Sequence, residues 1–214
     1  MYCGGAVIIR EATQLVSGVN IGNLMQLAKA AADAGNPKEA YGYYLKVLEH
    51  EGQNPEAWFG KGSSAGWMST FKEMKTNEMV SGFKNAIAYA SESEKNELRK
   101  RCSVETFKIV TACYTIAKRH LDQFAAVQGV WAGYVQSSAL CIDALDVAIA
   151  WNPIAKPLSQ LLVKICRENL EGFRCTAHSA FNFFGLPIME NRFSVPKDYA
   201  AFLNAQIAEH ERRE

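Results

Sequence analysis

The stretch from Asn23 to Trp58 constrains this chain most: NLMQLAKAAADAGN, PKEAYGYYLKVLEHEGQN, then PEAW. Gly35-Asn36-Pro37 divides two apolar-periodic runs, and a second proline, Pro55, stands before Trp58. Leu24, Leu27, Ala28, Ala31 and Ala34 recur at spacings of three and four, one face of a helix. Gly35 can take the left-handed conformation that closes that helix, and Pro37 suits the first turn of the next. The next helix carries Ala40, Tyr43, Tyr44, Val47 and Leu48 on one side. Gly52 to Pro55 stops it, and Glu56-Ala57-Trp58 opens a third. Two short helices joined by a tight glycine turn form an antiparallel hairpin.

At these residues the chain resembles a tetratricopeptide repeat, a helix-turn-helix unit of 34 residues. Leu27-Ala28 match the family's Leu-Gly pair. Gly35, Ala40, Tyr44, Val47 and Leu48 match its turn glycine, small residue, aromatic, small residue and apolar residue. Counted from Ile21, the next unit begins at Pro55, 34 residues on, which places Trp58 and Gly62 where the family has Trp and Gly. Glu78-Met79, Phe83, Ala86 and Ile87 close this second unit after a longer turn at Ser69 to Asn77. The resemblance runs from Ile21 to about Ser91. It implies stacked hairpins with a concave face built from the first helix of each unit, here Met25, Lys29, Ala32 and Asp33, then Phe59, Ser63 and Trp67.

Ser91-Glu92-Ser93-Glu94, with Glu97, has the composition of a helix start. Leu98, Cys102, Ile109, Cys113, Ala117, Leu121 and Phe124 mark one face of a helix longer than the repeat's, so the array does not simply continue. Gln123 to Ile142 holds no charge for 20 residues, long enough to cross a bilayer. Its glutamines and serines and its few Leu, Ile, Val and Phe predict a buried central helix instead, ending at Asn152-Pro153. Leu161, Leu162, Ile165, Cys166 and Leu170 predict a further helix that ends near Gly172. Thr176 to Val195 reads as an aromatic loop over the core. Pro196-Lys197-Asp198 opens a last helix with Tyr199, Phe202, Leu203 and Ile207 on its apolar face and a fraying end from Glu209 to Glu214. The expected fold is all-α: TPR-like hairpins followed by a longer-helix bundle, seven to nine helices in all, with a short N-terminal turn and strand. Its divisions are an N-terminal segment at 1–18, hairpins at 19–91 and a C-terminal helical region at 92–214.

Chemistry is sparse. Gly60-Lys61-Gly62-Ser63-Ser64 lacks the strand and the spacing of a phosphate loop, and its glycines read as a close helix crossing. Cys175 and His178, with Cys166, do not make a zinc site. His50, His120 and His210 stand beside charged residues and read as surface positions; Asp143 and Asp146 have no evident partner. Arg99-Lys100-Arg101, with Lys95, Lys108, Lys118 and Arg119, interleaves with Glu92, Glu94, Glu97 and Glu105, which predicts a solvated face laced with (i, i+4) pairs. A net charge of +1 argues against a surface built for nucleic acid or membranes. Six cysteines do not make a disulfide scaffold in 214 residues. Five of them, Cys102, Cys113, Cys141, Cys166 and Cys175, sit in helical patterns as small hydrophobes. With no secretory h-region, since Ala6 to Ile9 is too short, they point to a reducing, cytoplasmic setting.

No cofactor and no catalytic residue is expected. The leading functional expectation is a non-enzymatic interaction module that holds a protein or peptide partner in a groove lined by Met25, Lys29, Asp33, Phe59, Ser63 and Trp67. The groove lacks the Lys and Asn pair with which some members of the family clamp a terminal carboxylate. Two alternatives stay open. One is an enzyme or ligand receptor with a pocket at Trp131, Tyr134 and the aromatics from 181 to 193; the other is a homo-oligomer built on the uncharged helix. Trp58 is expected to be largely buried between the two units.

Cys3 raises a separate expectation. Cys3-Gly4-Gly5, followed by a β-branched run and Arg10-Glu11, resembles the second knuckle of a zinc ribbon. The mate of Cys3 would fall one position upstream of Met1, so only a longer, N-terminally extended protein would hold zinc, with four thiolates in a closed shell. The alternative is a free cysteine.

Overall fold

The computed structural model describes residues 20–176 and 190–212. Eight helices order the described chain: α1 (Ile21–Asp33), α2 (Pro37–His50), α3 (Pro55–Trp67), α4 (Thr76–Tyr89), α5 (Lys95–Phe124), α6 (Val130–Trp151), α7 (Lys156–Glu171) and α8 (Lys197–Glu211). Two short strands, β1 (Phe173–Thr176) and β2 (Glu190–Phe193), pair antiparallel between α7 and α8, with Phe173 opposite Phe193. The expected N-terminal turn and strand, with Cys3, lie outside the described residues.

Local chemistry sets the first three helices. Asn20, Asn36 and Asn54 cap α1, α2 and α3, each side chain accepting the backbone N–H three residues on. Pro37 and Pro55 follow the second and third caps at a position whose N–H has no helical partner. Gly35, at φ 72°, closes α1. Its N–H donates to the Ala32 carbonyl and that of Asn36 to the Ala31 carbonyl, both at 2.9 Å, satisfying two orphan acceptors of the helix end.

The hairpin α3–α4 packs more closely than side chains allow. A Cβ on Gly82 would lie 2.7 Å from the Gly62 Cα; on the side of α3 that meets α2, one on Gly60 would enter the Tyr44 ring at 2.1 Å. The glycine-rich run is thus a helix crossing, as expected. Two buried clusters result. Ala28, Ala31, Ala40, Tyr44, Val47 and Ala57 join α1, α2 and the start of α3. The larger one runs from Met79 through α5, α6 and α7 to Leu203.

The described chain is all-α apart from β1 and β2, and it consists of TPR-like hairpins followed by longer helices. The hairpin order nevertheless persists beyond Ser91. α5 packs on α6 and α7 on α8, while α1, α3, α5 and α7 touch in succession. Helix length changes at α5; the stacking plan does not. α6, whose first part belongs to the uncharged run, buries Val130, Tyr134, Ile142, Leu145 and Ile149 within its own chain, so those positions are not free to meet a second copy. None of the helices, among the described residues, is long and apolar enough to cross a membrane.

Several expectations need correction. Trp58 is half-buried: it stacks beside Tyr89 at 6.5 Å and donates its indole N–H to the Gly52 carbonyl at 2.8 Å, while the small Ala57 and Gly60 occupy the contact with Tyr44. Leu27 and Phe124 lie on solvent-facing sides, 40% and 45% exposed. β2 falls within the predicted loop and β1 reaches its first residue; Cys175 belongs to β1 rather than to a helix, and residues 177–189 lie outside the described part. His210 is buried, with Nε2 3.0 Å from Asp146 on α6, so Asp146 does have a partner and α8 stays helical through Glu211. The basic stripe pairs across the fold as well as locally: Arg101 binds Glu56 and Lys118 binds Glu168, while Lys95 and Lys108 make (i, i+3) contacts with Glu92 and Glu105. Glu168 also accepts a hydrogen bond from Tyr114 at 2.9 Å, and the Tyr114 and Tyr134 hydroxyls lie 2.7 Å apart, which ties α5, α6 and α7 together.

Candidate functional site

A groove of about 360 Å³ opens between α1 and α3 and is flanked by α5. Its α1 rim carries Lys29, Ala32 and Asp33. The α3 wall carries Phe59, Ser63 and Trp67, one residue per turn on a single stripe. Tyr44, Gly60 and Ser64 line it too, with Tyr44 and Ser64 buried at 5% and 3% exposure. Toward the C-terminal ends of α1 and α3 a second hollow of about 280 Å³ shares Ala32, Ser63, Ser64 and Trp67 and adds Gly35 and Pro37. Five of the six expected groove residues, Lys29, Asp33, Phe59, Ser63 and Trp67, therefore meet around one opening. Met25 does not line it; it is half-buried against the first cluster.

Sequence reasoning missed the contribution of α5. Arg101 donates to both carboxylate oxygens of Glu56, at 2.5 and 2.9 Å. Its guanidinium also lies 4.5 Å over the centre of the Phe59 ring, whose other neighbour is Phe83 at 5.2 Å. One turn further on, Glu105 Oε1 accepts from Ser63 Oγ and from the Trp67 indole N–H, each at 2.8 Å. Its Oε2 lies 3.5 Å from Lys108. Trp67 is 45% exposed. It is thus an aromatic surface open to solvent and oriented by a charge-assisted bond.

The electrostatics follow this geometry. The bond from Arg101 holds the Glu56 carboxyl below its ordinary range, against the opposing effect of burial and with help from the Arg101 and Lys29 charges. Burial, seconded by Glu56 and Asp33, pushes the Tyr44 hydroxyl up. Lys29 and Asp33 are solvent-exposed and make no hydrogen bond or ion pair with a described residue. Periodicity could show that Phe59, Ser63 and Trp67 share a stripe. No signal in the chain could pair Glu56 with Arg101, 45 residues away.

Elsewhere the described residues hold no group of three or more His, Cys, Asp or Glu placed for a metal ion. Trp131 stacks on Tyr134 at 5.6 Å and on Phe193 at 6.2 Å. Phe181, Phe183, Phe184 and His178 lie outside the described residues. Burial pushes the thiols of Cys102 and Cys166 up to about 12 and that of Cys141 higher still. These thiols stay protonated, and only the thiolate is a nucleophile.

No protein-family model matches the chain, and no curated protein matches it. Similar solved structures include a crystal structure of MamA, at 15% identity and TM-score 0.41, covering 91% of this chain and 80% of that one. The MamA RS-1 ArsTM double mutant matches at 14% identity and TM-score 0.35, covering 91% and 96%. MamA 41-end from Desulfovibrio magneticus RS-1 matches at 13% identity and TM-score 0.35, covering 92% and 96%. Likeness at this level carries no argument about what the chain does.

Proposed function

We propose that this chain is a non-enzymatic interaction module that holds an extended segment of a partner protein in the groove between α1, α3 and α5. The observation that supports this reading best is Trp67. Large aromatics at the mouth of a concave surface, exposed yet fixed in orientation, are the anchors around which interfaces concentrate their binding energy. Phe59 and Tyr44 continue the aromatic surface inward, and the Glu56–Arg101 pair stiffens the wall. The reading assigns no chemistry to any residue and places the module, with its buried free thiols, in a reducing cytoplasmic compartment.

The test is affinity capture from the native host with three baits: the wild-type chain, Trp67→Ala and Ala32→Trp. Ala32 is exposed on the groove rim, so the tryptophan fills the opening without entering the core. A partner enriched by the wild type and lost with both variants, at unchanged far-UV circular dichroism, is the expected result. Equal recovery on all three baits, or no partner enriched in repeated trials, would remove the groove from the account.

A further inference from the structure

The groove is electrically polarised along its length. At the Phe59 end, Arg101 pairs with Glu56, and Lys29, within electrostatic reach of the same carboxylate, makes no ion pair of its own with a described residue. Toward the C-terminal end of α1, Asp33 lines the groove without an ion pair to a described residue, and Glu105, already bonded to the Trp67 indole, is met by Lys108 at 3.5 Å. Lys29 and Asp33 stand one turn apart on α1, about 6 Å along the axis. In an extended peptide, side chains two residues apart project to the same side at about 6.6 Å. The α3 stripe from Phe59 to Trp67 is about 12 Å long, room for three to four extended residues.

Resting on the groove reading above, we propose that the occupant is an extended segment carrying both charge signs. A lysine or arginine lies on the exposed face of Trp67 between Asp33 and Glu105. An aspartate or glutamate two residues away meets Lys29, and an apolar side chain between them faces the α3 wall between Phe59 and Trp67. Tryptophan is the best aromatic partner for a cation, and its indole N–H, engaged by a carboxylate, keeps the ring presented. The uncharged, all-acidic and all-basic alternatives each leave at least one end of the groove uncompensated or repelled.

Five fluorescein-labelled blocked decapeptides test this by anisotropy. Their central triplets are Asp-Leu-Lys, Lys-Leu-Asp, Asp-Leu-Asp, Lys-Leu-Lys and Ala-Leu-Ala, in a neutral background. One of the two mixed orders binds at least about tenfold more tightly than the three controls, the combined effect expected of two exposed ion pairs and one cation–π contact. In a chain carrying Lys29→Asp together with Asp33→Lys, both on exposed positions of α1, the preference moves to the opposite mixed order. Equal binding of all five peptides, a preference unmoved by the exchange, or no binding up to about 1 mM overturns the proposal. Equal binding that Ala32→Trp abolishes overturns the charge rule alone and leaves the groove as the binding site. Loss of the captured partner from the Trp67→Ala bait, with full recovery on the exchanged chain, has the same meaning.

Discussion

Gly82→Ala and Gly42→Ala make the same chemical change in two helices and are expected to shift stability in opposite directions. Each replaces glycine in a helix interior, which by propensity alone favours the folded state by about 0.8–1 kcal/mol. At Gly42, in α2, an added Cβ meets nothing within 4 Å. The full propensity gain should appear, as stabilisation of about 0.8–1 kcal/mol. At Gly82, in α4, the Cβ would stand 2.7 Å from the Gly62 Cα, 2.9 Å from its nitrogen and 3.1 Å from the Trp58 carbonyl oxygen. All three obstacles are backbone atoms of α3, which cannot turn aside as a side chain end can. Overpacking of this kind costs about 1–3 kcal/mol, and more where backbone must shift, so a net destabilisation of about 1–2 kcal/mol remains after the propensity gain. For a chain of this size each kcal/mol moves the Tm by about 2–4 °C. Guanidinium unfolding followed by far-UV circular dichroism should place the two variants on opposite sides of the wild type. If both stabilise equally, α3 and α4 do not touch backbone to backbone and the crossing is wrong.

Three further outcomes are expected. Trp58→Ala should cost about 1.5–2.5 kcal/mol in the same assay, below the 3–5 typical of a fully buried tryptophan, because the ring is half-exposed; a loss under about 1 kcal/mol would remove it from the hairpin interface. Glu56 should contribute stability at pH above its ordinary 4.5 that is lost as the pH falls through its depressed folded value. The partly exposed pair is worth about 1 kcal/mol or less, and Glu56→Gln should flatten the acid limb of the stability curve; an unchanged acid slope in that variant counts against the pairing with Arg101. At pH 8, Cys102, Cys113, Cys141 and Cys166 should resist iodoacetamide in the native protein and react in denaturant, read by peptide mass mapping, since all four are buried with raised thiol values. Rapid native labelling of any of them would show that its helix opens.

What the chain determined by itself lies within reach of a few bonds. Gly35 closes α1 because glycine tolerates a positive φ. The Asn-Pro steps at Asn36 and Asn54 start α2 and α3 because a short side-chain acceptor and a ring without an N–H suit a helix start. Phe59, Ser63 and Trp67 form one stripe because the helix repeats every 3.6 residues. All of that is readable before any tertiary contact exists. Tertiary structure alone decided which charges are spent and which remain. Arg101 reads as one more cation on a solvated helix until α5 crosses α3 and brings it to Glu56 and over Phe59. Glu105 reads as its surface counterion until it meets Ser63 and Trp67. His210 reads as a polar tail until α8 closes on α6 and Asp146 takes its ring nitrogen. β1 and β2 need each other to satisfy their backbone groups, and the partners lie too far apart in the chain for either segment to announce the other. Pairing across such separations depends on the angle and depth at which helices cross, and those are set by the small residues at the contacts, not by the charged residues that the crossing happens to unite.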